Sequence, residues 1–293
     1  MNNGLHAAEL EKDAKREQRM FLGLTLPALV LVGGIVALPV GWLFALSFTG
    51  NDGGFSLEHY QRLWESKSYA RIFRTTFEVS FITTGLCAVF GYPLAYCLSQ
   101  ASRKTANLLM LCVLLPFWTS ILVRTYAWLA LLQRQGLVNQ WGTELGLWEE
   151  PIKLVHNLGG TLIGMVHIML PLMVLPLYAA MKSIPVDYAR AAANLGASPT
   201  RAFVSVFLPL SAPGLLAGTI IVFVLCLGFF ITPALLGGGR VIMVANRIHT
   251  DIELFYNWGA AGALGAVLLV LTLAVLFASS KILGAGGWPG AAK

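Results

Sequence analysis

Charge is what this chain has least of. Only 12% of its 293 residues are Asp, Glu, Lys or Arg, about half the share found in an average soluble domain, and this excludes a single soluble core. No Asp falls within any of its long apolar runs, so an intramembrane aspartyl hydrolase, which needs paired Asp inside spans, is excluded. The G-x-S triplet Gly54-Phe55-Ser56 lies in a polar loop, which argues against a serine-type intramembrane enzyme. The sequence has no G-x-x-x-x-G-K-[ST] loop, so the chain cannot cradle nucleotide phosphates by that mechanism. Cys87, Cys97, Cys112 and Cys226 form no C-x-x-C pair and neighbour no His at metal-ligand spacing; they read as small apolar packing residues, and no metal site is expected.

What is present is hydrophobicity: 57% of residues are apolar and the mean hydropathy is +0.71. Runs of ~20 apolar residues mark membrane helices. Six occupy residues 21–48, 75–100, 106–132, 158–181, 213–235 and 259–283, predicting an all-α polytopic membrane protein of six spans. The first run is too long for a signal-peptide core and lacks an A-x-A-like site, so it reads as a retained anchor. Placing the N-terminus in the cytoplasm leaves 11 Lys and Arg inside and 8 outside, the inner ones concentrated in short segments beside the spans, as the positive-inside rule requires. Glu58, Glu65, Glu144, Glu149, Glu150, Asp251 and Glu253 all fall outside. The net charge of +6 thus reports topology and gives no reason to invoke nucleic acid. Residues 1–20 form a cytoplasmic segment and 286–293 a cytoplasmic tail. A short outer helix is expected near residues 57–64, capped by Ser56. Trp141 and Trp148 suit an interfacial belt against membrane lipid. Pro27, Pro39, Pro93, Pro116, Pro171, Pro176 and Pro233 fall inside or at the ends of the runs, where each tends to kink its helix.

The most telling stretch is DYARAAANLGASPTRAFVSVFLPLSAPG, residues 187–214, within an inner loop of residues 183–212. Asp187 and Tyr188 open a run of strong helix formers that includes Ala191 and Ala192. Gly196 follows at the position where a left-handed residue ends a helix. Ser198-Pro199 then supplies a cap and a proline at the first helical position. The second helix is expected over residues 199–207, stopping near Pro209. A slim, Ala-rich helix on the cytoplasmic face, between two spans, reads as a docking element for a soluble partner. Asp187 lies three residues before Arg190 and can partly neutralise it.

At these residues the chain resembles the membrane subunits of ATP-binding-cassette importers, whose loop runs E-A-A, three residues, G, nine residues, I-x-L-P. Here Ala191-Ala192 lead to Gly196, and Val206-Phe207-Leu208-Pro209 complete the pattern; Arg190 stands at the position of the motif's Glu, reversing the charge. GYPLAYCLSQ (91–100), LLPFWTSILVRTYAWLALLQRQGLVN (114–139), MLPLMVLPLYAAMKSIP (169–185) and FFITPALLGGG (229–239) extend the likeness to the spermidine/putrescine-type permeases. The resemblance implies a non-catalytic permease subunit in a bacterial inner membrane that binds no cofactor itself. It implies two ATPase subunits that hold ATP and Mg, a second homologous permease, and an extracytoplasmic binding protein. The expected cargo is a polyamine, with another small amino or carboxylic solute, or an ion-coupled secondary transporter, as alternatives. Asp187, Arg190, Ala191, Ala192, Gly196, Ser198 and Pro209 are then the ATPase-coupling residues.

Polar groups inside the spans are costly and therefore informative. Arg124 sits between Trp118 and Trp128; it either caps carbonyls or pairs with Glu78, or it belongs to a gate. Glu78 near the outer mouth would attract a cation, or else serves Arg71, Arg74 or Arg124. His167 reads as a hydrogen-bonding core residue. Tyr92, Tyr96, Trp118, Tyr126 and Trp128 either line a path, where they could hold an ammonium by cation–π attraction, or pack between helices.

Overall fold

The computed structural model describes residues 2–50 and 53–285; the expected C-terminal tail lies outside them. Thirteen α-helices are found among the described residues, and the sole strand-like contact is an isolated bridge between Thr49 and Phe55. Helix α1 spans Asn2–Leu46, so the expected cytoplasmic segment and the first span are one continuous helix. After α2 (Glu58–Glu65) comes α3 (Lys67–Gln100), whose 34 residues make a rod about 50 Å long. The chain then folds through α4 (Arg103–Leu114), α5 (Ile121–Leu132) and α6 (Leu137–Glu144) to α7 (Leu158–Lys182). Short helices α8 (Val186–Asn194) and α9 (Pro199–Ala202) lead into α10 (Leu208–Leu227). The chain ends with α11 (Ile231–Leu236), α12 (Val244–Glu253) and α13 (Trp258–Ala285).

Five helices are long and apolar enough to cross a membrane, or six if one bent pair counts as a span. The bent pair is the expected third span. Arg103–Trp118 and Ile121–Glu144 meet at 96°, so residues 106–132 are not one straight helix. Pro116 lies in a tight 3₁₀ turn over Leu115–Trp118, and Thr119 and Ser120 are extended. The Thr119 N–H and hydroxyl both donate to the Pro116 carbonyl, at 3.1 and 2.7 Å, closing the turn at the break. The other prolines of the long helices do not interrupt them: α1 runs through Pro27 and Pro39, α3 through Pro93, and α7 through Pro171 and Pro176.

The packed heart is α7 between α3 and α10. Met165, Met169, Met173, Leu177 and Met181 recur every fourth residue of α7 and are buried, forming one continuous ridge. They meet Val79, Cys87 and Leu98 of α3 and Val222 and Cys226 of α10. In lipid no water is expelled when apolar helices meet, so close van der Waals contact must hold them. Two glycines permit it: a Cβ on Gly214 would lie 2.8 Å from the Pro176 carbonyl oxygen, and one on Gly218 2.7 Å from the Met173 sulfur. Of the cysteines, Cys87 and Cys226 are buried in this core as expected, whereas Cys97 and Cys112 are exposed on helix surfaces. Helix α1 is the opposite case. Its apolar stretch Gly23–Leu46 has no buried residue, and it packs chiefly on α13.

Candidate functional site

The ends of α3 and α7 and the start of α10 converge at one end of the bundle, and the α8–α9 hairpin projects there. The Lys182 ammonium donates to the Ser99 carbonyl at 3.2 Å, tying α7 to α3 just before the chain leaves the bundle. Helix α8 has no buried residue. It ends at Gly196, whose φ of +81° is a left-handed conformation that a Cβ would strain. The Ala197 N–H then returns to the Ala192 carbonyl at 3.0 Å, closing the helix end. The Ser198 hydroxyl accepts from the Arg201 N–H at 3.4 Å, with Pro199 in the first turn of α9. Asp187 and Arg190 pair at 3.5 Å, both well exposed, so the pair adds little stability. Ala192 and Leu195 border a shallow cleft of about 300 Å³ with Arg201 and Ser205, and Leu195 is 88% exposed.

Pro209 does not stop the second helix. From Pro199 to Leu227 the chain is one continuous rod, with a π-helical turn over Phe203–Phe207. An ordinary α-turn would press the Pro209 ring against the carbonyl four residues back. The widened turn just before it relieves that clash, so the hairpin is joined directly to a membrane-spanning helix.

The aromatic residues divide. Tyr92 and Tyr96 are half-buried and pack at the hairpin end. Tyr96 lies edge-on to Phe203 and Phe207, with ring centroids 5.3 and 5.1 Å apart. The Tyr92 hydroxyl meets the Ser211 hydroxyl at 2.8 Å. Trp128 donates its indole N–H to His167 Nδ1 at 3.0 Å, so His167 is the hydrogen-bonded core residue expected. Trp118, 88% exposed, and Tyr126 face away from the chain's own core.

The expected Arg124–Glu78 pair is not formed: Glu78 is exposed on α3, whereas Arg124 is buried on α5. Nor does Arg124 snorkel. It is 7% exposed, and its Nε and Nη1 atoms have no hydrogen-bond partner. Burial on the inner side of α5, beside the half-buried Trp128–His167 pair, explains both corrections.

At the far end of the bundle the sequence hid a second polar centre. Asp251, one of the acids expected on the outer side, is 2% exposed. Its carboxylate accepts from Arg247, with contacts of 2.8 and 3.2 Å, and the guanidinium lies 5.4 Å from the ring centres of both Tyr69 and Phe255. Burial pushes the Asp251 carboxyl above its ordinary value, against the opposing pull of Arg247. Nearby, the Thr76 hydroxyl accepts from the Val244 N–H at 2.9 Å and donates to the Ile72 carbonyl at 2.8 Å. Asn139, fully buried, accepts from the Ile152 N–H and donates to the Ile152 and Gln133 carbonyls, pinning the loop that follows α6. That loop also carries Trp148, whose ring covers Gly142. The Ser56 hydroxyl accepts from the Glu58 N–H at 3.1 Å, close to the expected cap, although α2 begins one residue late.

Comparison with known proteins fits this architecture. Residues 88–284 match the family described as the binding-protein-dependent transport system inner membrane component. The chain is 34% identical to the spermidine/putrescine transport system permease protein PotB of Haemophilus influenzae, over 85% of this chain and 90% of that one. It is 31% identical to the PotB protein of Escherichia coli, over 85% and 93%. The fold matches a chain of a bacterial ABC transporter involved in the import of the acidic polysaccharide alginate, with a TM-score of 0.69 and 20% identity, covering 94% of this chain and 99% of that one. A second structure of a bacterial alginate ABC transporter, in complex with a pentasaccharide-bound periplasmic protein, matches with a TM-score of 0.71 and 18% identity over 92% and 94%. This chain is a multi-pass membrane protein and belongs to the family of inner membrane components of binding-protein-dependent transport systems.

Proposed function

We propose that this chain is one permease subunit of an ATP-driven polyamine importer, and that the α8–α9 hairpin receives the stroke of a cytoplasmic ATPase. The observation that carries the reading is the continuity of the hairpin with α10: the second helix of an exposed hairpin that turns at Gly196, capped by Ser198, runs without interruption into a spanning helix. A push on such an element must reach the bundle. Two ATPase subunits hold ATP and Mg, and this chain binds no cofactor. Asp187, Arg190, Ala191, Ala192, Gly196 and Ser198 form the docking face, with Pro209 at its root; Arg190 calls for an acidic contact on the ATPase. The hairpin end is cytoplasmic, as is the N-terminus. A second, homologous permease completes the path, to which we assign Glu78, Trp118 and Tyr126, and an extracytoplasmic binding protein delivers the solute. Spermidine is the favoured cargo because the relatives over 85% of the chain are named for it.

The test is uptake of labelled spermidine by proteoliposomes containing the complete transporter. We expect uptake that requires ATP and binding protein and is lost in Gly196→Asp. Uptake that persists without ATP, or an unaltered rate in Gly196→Asp, would sink the coupling reading. Uptake of a small carboxylate but not of spermidine would leave the coupling intact and overturn the cargo.

A further inference from the structure

Three features meet where the hairpin enters the bundle. The first is the π turn over Phe203–Phe207, in which the Leu208 N–H bonds to the carbonyl of Phe203, five residues back. Such turns are rare and occur mostly as single widened turns inside α-helices, frequently at functional sites. The second is an aromatic clasp. Phe203 and Phe207 stack with centroids 5.7 Å apart, Tyr96 of α3 stands edge-on to both, and Tyr92 stands edge-on to Phe203 at 6.3 Å. The third is empty space. A cavity of about 390 Å³ separates hairpin from bundle, bordered by Tyr96, Gln100, Tyr188, Ala193 and Phe207, and the cleft beside Leu195 and Ser205 adjoins it at Ala202 and Val206.

We propose that the π turn Phe203–Phe207, clasped by Tyr92 and Tyr96, is the joint at which the α8–α9 hairpin turns relative to α10. Tyr92 and Tyr96 are thus positioning residues and do not meet the solute. This rests on the hairpin being the element that the ATPase moves. A π turn can migrate by one residue, or close to an α-turn, by exchanging carbonyl partners, so few hydrogen bonds are lost on the way. One residue of register is a rotation of about 100° and a rise of about 1.5 Å, enough to swing the hairpin by several ångströms. Edge-on ring contacts hold over centroid separations of about 4.5–7 Å, so Tyr96 can keep hold of Phe207, on the bundle side of the turn, while Phe203 moves off with the hairpin. The Tyr92–Ser211 bond lies on the bundle side of the turn and holds α10 to α3 while the hairpin moves. The two voids supply room that a close-packed joint lacks.

The experiment measures a distance within the complete transporter. With exposed Cys97 and Cys112 replaced by Ser, spin labels are placed at Leu195→Cys on the hairpin and Leu225→Cys beyond the joint, in a complex first shown to transport. Adding a non-hydrolysable ATP analogue should change the separation by about 3 Å or more, given the register step of a helix. In parallel, Tyr96→Ala should lower solute moved per ATP hydrolysed about tenfold, and Tyr96→Phe, which keeps the ring, should restore it. A separation that stays fixed with nucleotide would mean that hairpin and α10 form a rigid lever; the joint is then wrong, although the docking reading survives. The docking reading fails separately, if Gly196→Asp leaves uptake unaltered.

Discussion

The two ends of this bundle are built on opposite principles. Within the hairpin itself the polar contacts are exposed and local: Asp187 pairs with Arg190 in water, Ser198 caps its own turn, and voids adjoin its helices; the long-range bonds Lys182–Ser99 and Tyr92–Ser211 lie in the bundle below it. At the far end buried and half-buried polar groups tie helices and loops together. Thr76 holds Val244, Asn139 holds Ile152, Asn246 donates to the Phe230 carbonyl, and Asp251 is enclosed with Arg247. Buried, satisfied polar contacts fix one arrangement, because every alternative leaves a group unpaired. Exposed ones leave alternatives nearly equal in energy. The comparison teaches that the hairpin is held by fewer enclosed polar bonds than the far end, as the proposed movement requires.

The largest expected effect on this contrast comes from Asp251→Ala. It leaves the Arg247 guanidinium half-enclosed without its carboxylate and should cost about 3 kcal/mol, seen as a fall in melting temperature in detergent. Next is Asn139→Ala, which strips partners from the Ile152 backbone and should cost about 1–3 kcal/mol, with earlier proteolysis of the loop after α6. Gly196→Val should change stability less, by about 1–2 kcal/mol through strain at a positive φ, yet abolish ATP-dependent uptake; a stable variant with full uptake would erase the distinction between the ends. Asp187→Asn should leave the melting temperature unchanged, since its pair is exposed. A pH dependence is expected at the far end as well. The Asp251 carboxyl is raised by burial, so the folded chain holds its proton more tightly than the unfolded chain. Stability should therefore fall as pH rises from the ordinary Asp value through the raised one, and level off above it. Asp251→Asn should remove that slope.

Much of the hairpin end was legible because its signals are local. Gly196 ends a helix in any context that needs a left-handed residue, and Ser198-Pro199 starts one, so both were readable from neighbours a few residues away. The same local logic failed at Pro209. A proline stops an α-helix, but a π turn just before it removes the clash, and no short-range pattern announces a π turn. The third apolar run misled for a related reason: hydropathy measures length and polarity, whereas the 96° bend at Pro116–Ser120 is a matter of backbone direction. At the far end, Asp251 and Asn139 looked like loop polars because their partners' geometry is set by folding.

Sequence by itself determined that the chain is helical, crosses a membrane several times, and carries a small-residue hairpin between its fourth and fifth apolar runs. These follow from the cost of burying charge and backbone in lipid, which composition and periodicity report directly. Only the tertiary structure decided which polar groups are enclosed, which aromatics are used in packing, and where the rod from the hairpin is widened. Each of those depends on atoms brought together from distant parts of the chain, and their energies arise only once the helices have packed.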